Sequence, residues 1–140
     1  MHLSALSAED QALVVAARAA RARAHAPYSR YRVGAALRTA TGGLWTGCNV
    51  EISSYSMTCC AERVAVFKAV SEGDPHVIAC AVVTDEAEPA APCGACRQVL
   101  YDFGGGAVRL LLANDGPVVR VVDLGGLLPL GFGPDNLLNR

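Results

Sequence analysis

The chain has 140 residues, 52% of them hydrophobic and 18% charged, with a formal net charge of −1. That balance excludes a general electrostatic pull toward nucleic acid or an anionic membrane, and no apolar run approaches the ~20 residues a membrane helix needs. The opening MHLSALSAED has no basic stretch and no apolar core, so no secretory leader is expected and the expected location is cytoplasmic.

This length suits one domain, expected over residues 1–140. A domain of this size hides only about 70% of its unfolded surface. The apolar excess therefore predicts a homo-oligomer, in which an interface covers what the core does not.

In chain order, Ser7 caps a helix read over AEDQALVVAARAARARAHA, rich in Ala, Leu and Arg and stopped by Pro27. Arg18, Arg21, Arg23, Arg30 and Arg32 form a local basic cluster. A solvated helix face accounts for the first three, so nucleic acid is not an expected partner. RVGAALRTA and LWTGCNV, separated by TGG, read as a β-hairpin. CAERVAVFKAVSEG is an amphipathic helix with a glycine stop. HVIACAVVTD reads as a central strand buried on both faces, and PCGACRQVLYDF as a helix closed by three glycines. AVRLLLA and VVRVVDL are two further strands turning at NDG, followed by a Gly- and Pro-punctuated tail. The order α-β-β-α-β-α-β-β-α predicts an α/β fold, one sheet covered by helices.

In a reducing compartment the six cysteines read as metal or catalytic groups rather than a disulfide framework. Cys93 and Cys96 form C-x-x-C at a helix start, which alone fits either half of a zinc site or a redox pair. Cys60 opens another predicted helix 33 residues earlier, with one strand between. Two such helices packed side by side bring three thiols to one end of the sheet, where both helix dipoles favour thiolates. Three thiolates on Zn²⁺ leave a tetrahedral position open, the mark of a catalytic rather than a structural site. Glu62, two residues beyond Cys60, is placed to serve as the base for water there. Arg63 follows it and is expected to hydrogen-bond the thiolates, offsetting the site's formal −1 charge; a solvated surface arginine is the plainer alternative. Cys48, Cys59 and Cys80 read as small buried hydrophobes, and His2, His25 and His76 as surface or turn residues.

CAER and PCGACRQVL, with APYSRYRVGAAL, GCNVE and LLPLGF, resemble the small homotetrameric zinc-dependent cytidine deaminases over most of the chain. The resemblance implies a three-layer α-β-α fold around a mixed five-stranded sheet. It implies zinc on Cys60, Cys93 and Cys96, and Glu62 shuttling protons between water, N3 of cytosine and the leaving amine. Asn49 and Glu51 would hold the ribose hydroxyls, Ala61 and Tyr31 would line the pocket, and Phe132 would stack on the base in a neighbouring subunit's site. The implied reaction converts cytidine or 2′-deoxycytidine to the uridine compound with release of ammonia, in pyrimidine salvage. The match is looser over Ser56, Met57, Thr58 and Cys59, which leaves the exact base open; Thr58 and Cys59 bear on the pocket's size and polarity. Three rivals stand beside this reading. One is a deaminase of a modified cytosine nucleoside such as blasticidin S. Another is a non-catalytic zinc-stabilised module with Cys48 or Cys59 as fourth ligand. The last is a redox protein using Cys93 and Cys96 alone.

Overall fold

The computed structural model describes residues 1–138; the end of the predicted tail, Asn139 and Arg140, lies outside them. A 3₁₀ turn over Leu3–Ala5 leads to α1, Ala8–Arg21, whose N-cap Ser7 accepts a hydrogen bond from the Asp10 amide. The hairpin is β1, Val33–Thr39, and β2, Leu44–Cys48. Then come α2, Ala61–Ser71; β3, Val77–Thr84; α3, Gly94–Gly104; β4, Arg109–Ala113; β5, Arg120–Asp123; and short helices α4, Leu124–Leu127, and α5, Pro134–Leu138.

The sheet runs β2-β1-β3-β4-β5. β1 lies antiparallel to both β2 and β3, β3 is parallel to β4, and β4 is antiparallel to β5. The sheet is thus mixed and five-stranded, with β3 in the middle, where its continuous apolar run placed it. Alternate residues divide between two cores. Leu37, Cys80, Val82, Leu110 and Leu112 face Ala61, Ala65, Val66 and Leu100 of α2 and α3. Ala36, Ala79, Ala81, Val83 and Leu111 face Leu13, Val14 and Ala17 of α1. These are the three layers, α1 on one face and α2 with α3 on the other.

Three expectations need correction. The first helix stops at Arg21, not at Pro27. Beyond it the backbone pairs with the segment after β2, through His25 N to Asn49 O (2.9 Å) and Glu51 N to His25 O (2.8 Å). A cross-chain partner for these groups replaces the helical one that propensity favours. Nor is the β4–β5 connection a tight turn at NDG, because Val119 pairs with the N-terminal Met1 in both directions. Finally, Arg18 and Arg21 are not a solvated face. Arg18 donates to Asn114 O and Gly116 O, and the buried Arg21 reaches Asp85, Asp115 and the Thr84 carbonyl. Arg23, Arg30 and Arg32, the rest of the basic cluster, stay exposed.

Candidate active site

Two helix starts meet at the C-terminal end of β3. Cys60 is the N-cap of α2 and Cys93 that of α3, both in extended conformation, and neither side chain caps its own helix. Their sulfurs are free to point elsewhere, and the first-turn amides of both helices lack intrahelical partners. Cys96 sits in the first turn of α3, fully buried. Cys60 Sγ lies 3.9 Å from Cys93 Sγ, which lies 3.5 Å from Cys96 Sγ. All three sulfurs fall within 4.8 Å of one another, and no fourth Cys, His, Asp or Glu donor joins them among the described residues. A tetrahedral Zn²⁺ with bonds of about 2.3 Å spaces its sulfurs by about 3.8 Å, so the cluster fits the ion with one position uncommitted.

The site's electrostatics follow from its neighbours. Hydrogen bonding from Cys96 and from Arg63 draws the Cys60 thiol down to about 5, while the hydrogen bond to Cys60 and burial push the Cys96 thiol up. Arg63 Nη2 stands 3.3 Å from Cys60 Sγ and 3.4 Å from Thr58 O. Its Nε is buried with no partner, alone among the described residues in this respect. Arg63 is thus half-buried, with its guanidinium turned toward the Cys60 sulfur. Glu62 is only 4% exposed, and burial raises its carboxyl above the ordinary range.

Glu62, Cys60 and Cys93 line a cleft of about 490 Å³, together with Ala61, Tyr31, Asn49 and Glu51. That volume is in the range of small-molecule sites. Every predicted site residue except Phe132, Cys96 and Arg63 thus lines one cavity; Cys96 and Arg63 lie behind its sulfurs. Phe132 is exposed and lines a separate depression, beside Phe103, Leu137 and Leu138. Thr58 borders the cleft but Cys59 does not. Cys59 precedes α2 and bridges Val50 through its backbone, so it is the extended chain, rather than divergence along a helix, that turns it away from Cys60. Cys80 is fully buried as expected, whereas Cys48 and Cys59 are half-buried. Cys48 donates to Arg23 O, and neither thiol joins the Cys60–Cys93–Cys96 cluster.

The residues of residues 7–112 match the family model for the cytidine and deoxycytidylate deaminase zinc-binding region. The chain belongs to the cytidine deaminase family. It is 45% identical over 125 residues to a cytidine deaminase of Sporosarcina psychrophila, covering 89% of this chain and 92% of that one. It is 42% identical over 129 residues to the cytidine deaminase of Halalkalibacterium halodurans, covering 92% and 98%. The crystal structure of the cytidine deaminase from Burkholderia pseudomallei superposes with a TM-score of 0.85 at 46% identity, over 91% of this chain and 100% of that one. Family membership fits the cleft: a buried acid beside three thiols, with polar groups at the far end.

Two polar lining residues, Ser29 and Thr84, carried no role in the sequence reading. Ser29 lies inside APYSRYRVGAAL, but nothing in its local spacing shows that its partner is Glu51, 22 residues away. Thr84 reaches the cleft because β3 ends there, which only the strand order reveals.

Proposed function

We propose that the protein is a zinc-dependent cytidine deaminase, a hydrolase that converts cytidine or 2′-deoxycytidine to the uridine compound and ammonia. The observation carrying this reading is the trio of Cys60, Cys93 and Cys96 sulfurs with the buried Glu62 on one cleft wall. Zn²⁺ held by these sulfurs supplies a Lewis acid that makes water nucleophilic near neutral pH.

The chain's own groups account for the rest. Glu62, as the carboxylate, takes a proton from the attacking water and delivers it to N3 of the base, its burial favouring the protonated form in between. The oxygen bonds to C4. Glu62 then passes the second proton to the amine at C4, the C–N bond breaks and ammonia leaves. Ala61, the first residue of α2, presents a backbone N–H suited to the base carbonyl. Arg63 withdraws charge from the Cys60 sulfur. Asn49 and Glu51 hold the sugar, and Tyr31 walls the base.

The same reading assigns Phe132 to a neighbouring subunit's cleft in a homotetramer. Its exposure outside its own cleft supports this. The chain then acts as one catalytic domain, in the cytoplasm, in pyrimidine salvage. The thiol ligand set favours a reducing compartment, and no helix among the described residues is long and apolar enough to cross a membrane.

Glu62→Gln tests the chemistry. Turnover of cytidine, followed by absorbance, should fall by about 10²–10⁴-fold, with zinc per chain and thermal midpoint unchanged. Retained turnover would remove Glu62 from the mechanism and return the site to a structural role.

A further inference from the structure

The far end of the cleft contains a hydrogen-bond arrangement that the reaction leaves unexplained. Glu51 is buried, yet its carboxylate is crowded with donors from one short segment. The amides of Tyr28 and Ser29 both donate to Oε1 at 3.0 Å, and the Ser29 hydroxyl donates to Oε2. The same Ser29 oxygen accepts from the Tyr31 amide at 3.0 Å. Asn49 grips the segment a few residues on, with Oδ1 accepting from Val33 N (2.9 Å) and Nδ2 donating to Tyr31 O (2.7 Å).

The turn needs holding. Arg30, inside it, has φ of 58°, a left-handed conformation that non-glycine residues rarely adopt. A hydroxyl accepting from the amide two residues on is a local device for fixing such a turn. Here that hydroxyl also binds the carboxylate, so one side chain joins the turn to Glu51.

We propose that Ser29 is a positioning residue that couples Glu51 to Tyr31, making the sugar end of the cleft and its aromatic wall one rigid unit. This rests on the deaminase reading for the identity of the substrate, but not for the coupling itself. A carboxylate offers about four acceptor directions. Three are taken by this segment, two on Oε1 and one on Oε2. Ser29 thereby selects the direction in which Glu51 remains able to accept a hydrogen bond from a sugar hydroxyl. Ser29 has only one hydroxyl proton, and it is committed to Glu51. Its contribution to the substrate therefore passes through the carboxylate and the turn. Without the hydroxyl, Glu51 is held at Oε1 alone, its Oε2 loses its donor, and the Tyr31 amide turns to water.

Ser29 is exposed, so truncating it leaves the core untouched. The test uses the full chain purified with its metal, comparing wild type and Ser29→Ala by hydrogen exchange and by steady-state kinetics on cytidine. We expect exchange across residues 28–33 to quicken about tenfold while α2 and α3 are unchanged. KM for cytidine should rise about tenfold with kcat within about threefold. Ser29→Thr, which keeps the hydroxyl, should restore both. Ser29→Cys, with its weaker donor, should be intermediate, and stands in should the alanine variant not fold. Unchanged exchange in the segment, or an unchanged KM despite quickened exchange, overturns the proposal. If wild type does not deaminate cytidine, the functional reading falls, while the exchange comparison still decides the role of Ser29.

Discussion

Glu51 and Glu62 are both buried carboxylates, 4% exposed, and their surroundings push them in opposite directions. Hydrogen bonds led by the Ser29 hydroxyl lower Glu51, and burial raises Glu62. The first shift favours the anion, which suits a hydroxyl donor; the second favours the protonated acid. The pH consequence for Glu51 has a definite sign. Its carboxyl is lowered from 4.5 in the folded chain, so its contribution to stability is complete above about 4.5. That contribution is lost as pH falls through the folded value. Denaturant titrations of wild type and Glu51→Gln between about pH 3 and 6 should therefore show a constant stability gap above 4.5 that narrows below it. At this scale Cys60, Glu62, Cys93 and Cys96 were legible, because two short helical spacings carry them. Ser29 was not, because its partner comes from a different part of the chain.

The elements are held in place by close backbone approach. Gly47 of β2 is the clearest case: a Cβ there would lie 2.5 Å from Ala61 O and 2.6 Å from Ala65 N. Both atoms belong to the first half of α2, the helix whose start carries Cys60 and Glu62. Gly47→Ala must push that start away from the sheet. We expect a loss of about 1–3 kcal/mol in unfolding free energy together with less zinc retained per chain. Denaturant melts and elemental analysis of the same preparation measure both. Element types and order were legible from periodicity and from glycine and proline punctuation. The end of α1 is not legible locally, because propensity favours helix through His25, whereas the backbone there is claimed by Asn49 and Glu51.

For the molecule as a whole, the apolar composition finds only part of its outlet in the two cores. Leu130, Phe132, Leu137 and Leu138 are exposed, from 55% to fully, in one C-terminal region. Under the assembly proposed above, sedimentation at micromolar concentration should give a multiple of 14.5 kDa. Phe132→Ala should lower turnover about tenfold or more, through loss of base stacking worth ~1–3 kcal/mol, with zinc content and fold preserved. A monomeric wild type of full activity would rule out a shared cleft.

By itself the sequence determined the α/β order and, at two helix starts, the three cysteines and the acid that the cleft brings together, since a helix places residues by spacing alone and a few neighbours suffice to encode that. The tertiary structure decided which strand ends form the cleft, that Glu51 binds the turn through Ser29, and that the arginines of α1 are spent on internal carbonyls and aspartates. Those depend on groups brought together from distant parts of the chain, where the pairing follows from how the layers pack and leaves no local pattern to read.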